Sequence, residues 1–576
     1  MGTRSENGGI SVHAVPGTRS VLFGLDAMEQ ARRNLLGFAL GKRSAAGDIR
    51  WRRGFKFFAE TVPDPQPGER RSTLQHPIQS FLWGDYSARP GEEADYVFRP
   101  LYGSPRDLVA GPDVEVKVRM HDETEGRHGV FFNRGAIPSQ AFADRFGNVG
   151  PTADEVNDPG NDKVAWLSRG LLEAALAFIA EASGSRFELR VAAYEFYYQP
   201  ILTALRMAAG TGARVRICYD GGDRKRDGSI TQTSISTENA AAIAAAGLDG
   251  AANVSLHPRT RYSAITHNKF IVLLEDGAPR AVWTGSTNFT PSGFLGQSNV
   301  GHLVRDPGVA GRYNAYWQEI AGDPATRGFK TFNTAEFPTP ANAAAPAGTT
   351  TVFSPRRAGM MEWYANRLGG ARSGAMFTAA FGVATELAEK FGEDRDFLRF
   401  LLMERPDRNP DEQRLIERDR DTRIALGRHF NRDAIRLETD GFRLDEWFRE
   451  EEHFRKKGHI FYVHTKYMLL DALGETPQLF TGSANFSTGS VESNDENMLL
   501  IGGEEARKPA EIYLNEFMRM FNHFYFRTVA LERARRQRPL SGIEARPVSN
   551  LDPTDRWTNS YFTPGTYHER RRVMFR

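Results

Sequence analysis

The chain of 576 residues has a single cysteine, little net charge and no long apolar run. One cysteine excludes an internal disulfide, and the place of Cys218 in an apolar, strand-like segment argues against a catalytic thiol. No apolar run approaches the roughly 18 residues that span a membrane, and residues 1–9 are too polar for a secretory signal. These absences predict a cytoplasmic protein.

The formal net charge of +2 argues against a strongly basic surface for nucleic acid. Arg and Lys nevertheless cluster at residues 224–226, 455–457, 533–538 and 570–572. Each cluster is more typical of a solvated loop or helix face than of a binding site. Charge therefore leaves a nucleic-acid substrate open without favouring it.

One pattern of polar residues occurs twice in the chain. The first copy consists of His267, Lys269, Gly285, Ser286 and Asn288, and the second of His464, Lys466, Gly482, Ser483 and Asn485. His and Asn are 21 residues apart in both copies, so the copies superpose without a gap. A lone His on an apolar strand is usually a core residue, whereas two gap-free copies indicate a duplicated functional unit.

Each His-x-Lys opens a short run of β-branched, aromatic and aliphatic residues, which predicts a buried strand. Because side chains alternate along a strand, His and Lys at positions i and i+2 point to the same side of the sheet. Ser and Asn follow a second apolar run and are expected at a strand end. Two such units would give one pocket two imidazoles, two ammonium groups, two hydroxyls and two carboxamides.

This set of side chains suits a tetrahedral phosphate diester. One His can attack phosphorus while the other protonates the departing oxygen, and water then releases the phosphohistidine. The two Lys and two Asn would hold the non-bridging oxygens and stabilise charge in the transition state. The predicted phosphate-binding residues are Ser286, Asn288, Asn299, Ser483 and Asn485. This chemistry requires no metal and no cofactor.

At these residues the sequence resembles the phospholipase D superfamily, whose signature is His-x-Lys-x4-Asp followed by Gly-Ser-x-Asn. The resemblance implies a fused pseudo-dimer in which each half supplies one motif to a shared active site. The second copy matches in full, because Asp471 lies five residues after Lys466, and the resemblance places Asp471 among the catalytic residues. The first copy departs from the signature, since Leu274 stands at the corresponding position.

A further difference between the copies lies eleven residues after each motif Asn, where the second half has Glu496 and the first has Asn299. A carboxylate there is similar to the superfamily residue that hydrogen-bonds the far nitrogen of a catalytic His and fixes its tautomer. The other interpretation of Glu496 is a solvated loop carboxylate. If the resemblance holds, the two His are unequal, with His267 as nucleophile and His464 as acid and base.

The predicted fold class is α/β with an all-β region in front. Residues 1–150 contain short strands separated by turns, and Asp95 to Gly103 resembles the Tyr-containing strand of an immunoglobulin or fibronectin type III sandwich. Residues 151–335 and 351–535 alternate helix and strand, which predicts two phospholipase D-like αβα repeats, each with a mainly parallel, doubly covered sheet.

The remaining segments are predicted to lie outside these repeats. Residues 336–350 are rich in Pro and Ala and are predicted to form a linker. Residues 405–458 form a charged insertion of the second half, and residues 536–576 an irregular tail. Either of the last two could cover the pocket and set specificity.

Three functions remain open. The leading hypothesis is a bacterial phospholipase D type hydrolase that cleaves phospholipid head groups and can transfer them to another alcohol. It is favoured by the two motif copies, the near-neutral charge and a β domain that could approach a lipid surface, and it implies peripheral membrane contact without an obligatory protein partner. The alternative is an endonuclease or other nucleic-acid phosphodiesterase of the same superfamily, favoured by the Arg clusters and the missing first Asp. The third is an inactive phosphate-binding protein.

Overall fold

The computed structural model describes residues 2–66, 69–135, 140–147, 149–225, 227–262, 264–340, 346–427, 462–535 and 550–576. Within these ranges, no helix combines the length and the apolar character that crossing a membrane requires.

The N-terminal region consists of antiparallel strands and one short helix, α1 (Glu29–Arg32). Its strands are β1 (Thr3–Asn7), β2 (Ile10–Pro16), β3 (Val21–Ala27), β4 (Leu35–Arg43), β5 (Ile49–Trp51), β6 (Arg53–Gly54), β7 (Arg71–Ser72), β8 (Leu82–Asp85), β9 (Glu93–Ser104), β10 (Asp107–Ala110) and β11 (Val114–Arg119). One sheet has the order β1-β2-β3-β8, and the other has the order β10-β9-β4-β5 with β11 also on β9.

The two N-terminal sheets share one hydrophobic cluster. Strand β11 illustrates how the sheets supply this cluster, because its residues alternate strictly between buried and exposed. Val12 and Phe23 from the first sheet and Phe38 and Phe98 from the second lie in the same cluster. The predicted β-rich region is therefore confirmed, while its assignment to the immunoglobulin or fibronectin III type stays a prediction.

The first α/β half is built on a seven-stranded sheet of order β12-β20-β19-β18-β13-β14-β17. Its strands, with the small hairpin β15–β16, are β12 (His128–Phe132), β13 (Phe187–Ala193), β14 (Arg214–Asp220), β15 (Asp223–Arg224), β16 (Ile230–Thr231), β17 (Val254–Arg259), β18 (Lys269–Glu275), β19 (Ala278–Gly285) and β20 (Val300–Val304). Its helices are α2 (Gln140–Phe146), α3 (Asp162–Ser168), α4 (Leu171–Ala180), α5 (Gln199–Gly210), α6 (Ser234–Ala245), α7 (Pro291–Leu295), α8 (Pro307–Ile320) and α9 (Thr326–Glu336), with a 3-10 turn at Glu155–Asn157.

The second half repeats this arrangement with the order β21-β27-β26-β25-β22-β23-β24. Its strands are β21 (Gly348–Ser354), β22 (Ala375–Ala379), β23 (Arg399–Met403), β24 (Thr422–Leu426), β25 (Tyr467–Leu470), β26 (Gln478–Gly482) and β27 (Glu496–Gly502). Its helices are α10 (Met360–Gly369), α11 (Thr385–Phe391), α12 (Pro410–Ile416), α13 (Thr488–Glu492) and α14 (Arg507–Arg535), with a 3-10 turn at Gly503–Ala506.

Both large sheets are mainly antiparallel, so the expectation of mainly parallel sheets was wrong. Only β13-β14-β17 in the first sheet and β22-β23-β24 in the second run parallel. The reason is local in the first motif, where Asp276 and Gly277 both have positive φ and join β18 to β19 as a two-residue hairpin. A hairpin forces its strands to run antiparallel.

The inner faces of both large sheets contribute to one hydrophobic cluster. Phe270 and Tyr316 of the first half and Phe400 and Tyr467 of the second belong to it, together with Phe517 of the long helix α14. Each half has a further cluster of its own. The strand ends that carry the motifs are therefore placed by a core that the two halves share.

The described part of the C-terminal segment is helical, which differs from the predicted irregular tail. It contains a 3-10 turn (Asp555–Thr558), α15 (Asn559–Phe562) and α16 (Tyr567–Phe575). Thr554 and Thr566 cap these helices, and Trp557 and Tyr561 lie in the N-terminal hydrophobic cluster. Aromatic burial in a distant region therefore orders a segment whose local pattern is weak.

The other predicted boundaries fall partly outside the described residues. Residues 341–345 of the predicted linker and residues 428–458 of the predicted insertion are among those that are not described. The described part of the insertion contributes α12 and β24 to the second half. Strand β12, within the predicted N-terminal domain, pairs with β20 of the first large sheet.

Candidate active site

The His-x-Lys of each half lies at the start of a central strand. Lys269 is the first residue of β18, and Lys466 directly precedes β25. The side chains of His267, Lys269, His464 and Lys466 are all buried. The apolar runs that follow each motif correctly predicted buried strands, because a strand covered on both faces consists mainly of apolar residues.

Backbone hydrogen bonds between the halves join the two motifs. The N–H of His267 donates to the carbonyl of Asp495 at 2.9 Å, and the N–H of Asp495 donates to Ile265 at 2.9 Å. On the other side, the N–H of Ser298 donates to Tyr462 at 2.7 Å. Each His loop is thus paired with the strand-end loop of the opposite half.

Glu496 holds the imidazole of His267. The Nδ1 atom of His267 lies 2.9 Å and 3.0 Å from the two carboxylate oxygens of Glu496, and both side chains are buried. When Glu496 is ionised it can only accept, so Nδ1 then carries the proton and Nε2 is directed elsewhere. The solvated-loop interpretation of Glu496 was therefore wrong.

Asn299, which was predicted to bind phosphate, holds the imidazole of His464 as Glu496 holds that of His267. Its Oδ1 lies 2.9 Å from Nδ1 of His464 and also accepts from Ser286 Oγ at 2.8 Å. Its Nδ2 donates to the carbonyl of Gly293 at 2.8 Å, which fixes the amide with the oxygen toward the imidazole. Oδ1 of Asn299 thus takes part in two hydrogen bonds and one N–H of Nδ2 is donated, so these contacts give no support to a phosphate-binding role.

The two motif serines support these partners rather than a ligand. Ser286 Oγ, besides donating to Asn299, accepts from the N–H of Val300 at 3.1 Å. Ser483 hydrogen-bonds Glu496 and accepts from the N–H of Asn497 at 3.0 Å. Both hydroxyls are fully buried, so their predicted role as phosphate ligands has no support from the geometry.

The two lysines face the same buried volume. Lys269 Nζ donates to the carbonyl of His267 at 2.7 Å, and Lys466 Nζ donates to that of His464 at 2.5 Å. Each ammonium has three N–H groups, so two remain for an anion. The charge of each lysine acts on the other motif's histidine, which shows that the four groups are close.

Burial sets the ionisation of this cluster. It lowers the pKa of Lys269 to about 7 and holds the pKa of Lys466 well below its ordinary value. Burial and the two lysines lower the pKa of both histidines, and burial raises the pKa of Glu496 to about 8. Loss of hydration penalises each charged form, and a bound anion would restore the positive charges.

The two motif asparagines differ in their surroundings. Asn288 donates its Nδ2 to the carboxylate of Glu195, a residue just beyond β13. Burial raises the pKa of Glu195, and the nearby Lys269 opposes that rise. The Oδ1 atoms of Asn288 and Asn485 accept no hydrogen bond from the described residues.

Asp471 does not join the imidazoles, although the resemblance placed it among the catalytic residues. It follows β25 at the end opposite Lys466, and its carboxylate accepts from the backbone N–H groups of Arg372 and Ser373 at 2.9 Å and 2.6 Å. In the first half, the β13–β18 pair extends two residues further, and Asp276 follows it with φ +50°, the value found at Asp471. The aspartate is therefore displaced in the first copy rather than missing.

Sequence reasoning missed three residues around the site. Arg259 is fully buried and donates to Asp495 Oδ2 at 2.9 Å, next to Glu496. Glu195 follows β13 directly, and a carboxylate at that end of a parallel strand was the signal that could have identified it. No such signal marks Arg259 and Asp495, because they are 236 positions apart.

The site offers nitrogen nucleophiles, ammonium groups and oriented acceptors. Among the described residues, no three His, Cys, Asp or Glu side chains converge in a way that could hold a metal ion. Cys218 lies buried on β14, where burial raises the pKa of its thiol. The basic nitrogens of the site are the two imidazoles and the two lysine amines.

Parts of the chain are similar to a known family and to solved structures. The family model described as "Cardiolipin synthase, PLD-like domain" matches residues 177–321 and 414–521, which include both motif copies. No curated protein sequence matches the chain.

Three solved structures are similar to parts of the chain. Polyphosphate kinase from Porphyromonas gingivalis is 12% identical, with 57% of this chain and 46% of that chain covered and a TM-score of 0.34. Nuc from Salmonella typhimurium, a phospholipase D family member, is 25% identical, with 26% and 86% covered and a TM-score of 0.21. Phosphatidylserine synthase from Haemophilus influenzae is 10% identical, with 62% and 85% covered and a TM-score of 0.40.

The chain thus spans less than half the length of the polyphosphate kinase. The family model matches one segment in each half, and each segment contains one motif copy. Through these two segments the chain is related to the phospholipase D superfamily.

Proposed function

We propose that this protein is a phosphodiesterase that acts through a phosphohistidine on His267, in a pseudo-dimer whose halves share one cavity. The observation that carries the proposal is the exchange of histidine partners. Glu496 of the second half holds His267 of the first, and Asn299 of the first half holds His464 of the second. Each imidazole is thereby oriented by a residue that the other half supplies.

The diester binds first. Its negative charge favours the protonated forms of Lys269 and Lys466, whose ammonium groups hold the non-bridging oxygens. It also favours a protonated His464, which has to enter the reaction as an acid. Binding therefore converts a largely uncharged cavity into one that stabilises the transition state.

Two displacements at phosphorus complete the reaction. The Nε2 lone pair of His267 attacks phosphorus, and the bond to one alcohol oxygen breaks while His464 protonates that oxygen. A water molecule, or a second alcohol, then gives its proton to His464 and attacks phosphorus. The phosphorus–nitrogen bond breaks and both imidazoles regain their starting state.

The unequal partners support the division of roles. A phosphorylated imidazole with a proton on Nδ1 carries a positive charge, which the carboxylate of Glu496 stabilises. Asn299 is neutral and holds His464 in position without strengthening its hold on a proton. His267 is therefore the nucleophile, and His464 is the acid and base.

Phospholipid head groups are the proposed substrates. The formal net charge of +2 and a carboxylate at the cavity wall do not suit a polyanion. In the 570–572 cluster, Arg570 pairs with Asp421 at 2.8 Å and Arg572 pairs with Asp26 at 2.5 Å, so both serve internal ion pairs. That cluster gives no support to the nucleic-acid alternative.

The two histidines provide the direct test. His267→Ala and His464→Ala are each expected to lower turnover of a phospholipid by at least about a thousandfold, since each removes an essential group. With His464→Ala, acid-labile phosphate should accumulate on His267. Labelled substrate with acid and base quenching measures it, and His257→Ala, at a half-exposed histidine on β17, is the control.

Substrate class is tested in the same preparation. With EDTA present, the protein is offered phospholipid vesicles in parallel with single- and double-stranded DNA. Cleavage of lipid alone is expected, whereas cleavage of DNA with a steep dependence on salt would favour the nuclease instead. Full turnover by either His→Ala variant would refute the mechanism.

A further inference from the structure

Glu195 is a carboxylate at the active site that the motif chemistry does not use. It lies two residues beyond the end of β13 and accepts a hydrogen bond from Asn288 Nδ2. The charges of Lys269 and Lys466 both act on it. Glu195 therefore lines the cavity in which those lysines face a phosphate.

This hydrogen bond decides what Asn288 offers to a ligand. One N–H of Nδ2 is donated to Glu195, while Oδ1 is buried and accepts no hydrogen bond from the described residues. Asn288 is only 5% exposed. Because an unpaired buried acceptor is costly, a ligand that reaches Oδ1 gains by supplying a donor.

The phosphate itself cannot supply that donor. A phosphate diester is ionised at neutral pH, and all its oxygens are acceptors. The N–H or O–H has to come from one of the two alcohols that the phosphate joins. Asn288 Oδ1 and Glu195 together thus favour an alcohol that carries a donor.

The second half has a different group at the corresponding place. In the first sheet Ala193 pairs with Lys269, and continuing the β22–β25 register by two residues places Ala379 opposite Lys466. Phe381 lies two residues beyond Ala379, as Glu195 lies two beyond Ala193. The Phe381 side chain is 46% exposed, so this half presents an apolar surface where the first presents a carboxylate.

We propose that Glu195 and Asn288 form a subsite for a primary ammonium group on the alcohol of the diester, while the Phe381 side receives the apolar part of the substrate. The subsite rests on the proposed phospholipid activity and refines it. An ethanolamine head group has three N–H donors and a positive charge for Glu195. A choline head group has the charge but no donor, and leaves the Asn288 oxygen unpaired.

Paired substrates give a direct measurement. kcat/KM is compared for ethanolamine and choline phospholipids in the same mixed micelles, and for the soluble glycerophosphoethanolamine and glycerophosphocholine. The wild type is expected to prefer ethanolamine by about tenfold or more, because a site built to bind donors rejects analogues that lack them. Glu195→Gln, which keeps the shape of the side chain, should reduce that preference to about twofold by lowering the ethanolamine value alone.

Glu238→Gln is the matched control, since Glu238 is an exposed carboxylate that acts on Glu195 through its charge, whereas Asn288 donates to Glu195. It should leave the preference unchanged. Thermal unfolding verifies the fold of each variant, and Glu195→Asp gives a second reading if the glutamine variant is unstable. Equal losses on both head groups, or no wild-type preference, would overturn the subsite while leaving the phospholipid function intact. Absence of lipid turnover in the wild type would refute both.

Discussion

Burial, rather than the identity of the residues alone, determines how each side chain of the site behaves. The two lysines and two histidines are almost inaccessible to water, and their charged forms are destabilised until an anion arrives. Burial also explains why the motif serines and Asn299 bond to one another and to neighbouring backbone. Their polar atoms satisfy one another first, since an unpaired buried group is costly.

The ionisation of Lys269 predicts a pH dependence of anion binding. With the pKa of Lys269 at about 7, the lysine is mostly protonated below that pH and mostly neutral above it. A bound anion raises this pKa, so binding takes up a proton and weakens as pH increases from about 7, by up to tenfold per unit. The inhibition constant of dimethyl phosphate, a monoanion throughout, should therefore rise between about pH 6 and pH 9. Uncharged trimethyl phosphate is the control, and a flat profile for the anion would contradict the expectation.

At the level of strands and turns, the aspartate of the family signature holds the end of a strand against the neighbouring loop. Asp471 anchors residues 372–374 to the end of β25 through N–H groups at 2.6 to 3.3 Å. Asp276 ends the longer strand pair of the first half, where it pairs with the exposed Arg186 at 2.8 Å. The longer strand pair of the first half places its aspartate two residues later than in the second half.

This pair of aspartates allows a matched experiment. Asp471→Asn keeps a residue that tolerates positive φ but weakens charge-assisted hydrogen bonds to buried N–H groups, at a cost of about 1.5–3 kcal/mol. Asp276→Asn, at an exposed side chain, should change stability little. Chemical denaturation measures both. The kcat of the folded Asp471→Asn protein should stay within about twofold of the wild type, and a large loss would restore Asp471 to the reacting groups.

Across the whole molecule, the C-terminal segment closes the chain onto its beginning. The indole N–H of Trp557 donates to the carbonyl of Leu35 at 2.8 Å, and its ring stacks on Phe81 at 5.3 Å. The carbonyl of Phe575 lies 3.0 Å from His13 Nδ1. The N-terminal β region is therefore completed by residues that follow the second half.

Removing the Trp557 ring should loosen this closure. Trp557→Ala is expected to destabilise the N-terminal region by about 3–5 kcal/mol, because it leaves a cavity among aromatic side chains. Amide hydrogen exchange should then rise in β3, β4 and β9, whereas phosphodiester turnover should persist at low temperature. Val109→Ala, at an exposed residue of the same region, serves as the control. Unchanged exchange would show that the segment is not needed there.

The sequence revealed the duplicated motif, the apolar runs that become β18 and β25, and through them the resemblance to the family. Those features are local, since periodicity marks the run that begins at Lys269 and the run that follows Lys466, and spacing repeats the motif. The resemblance also offered Glu496 as a histidine partner, beside a solvated loop carboxylate as the alternative.

Only the tertiary structure decided which histidine each partner holds, what Asn299 and the serines do, and where Glu195 lies. The paired groups are far apart in the chain; Glu496, for example, lies 229 positions after His267. Contacts of that kind arise from how two sheets pack on a shared core, and no local periodicity encodes them. The direction of the strands was misjudged for a related reason, because a two-residue turn at Asp276 and Gly277 outweighed the helix–strand alternation around it.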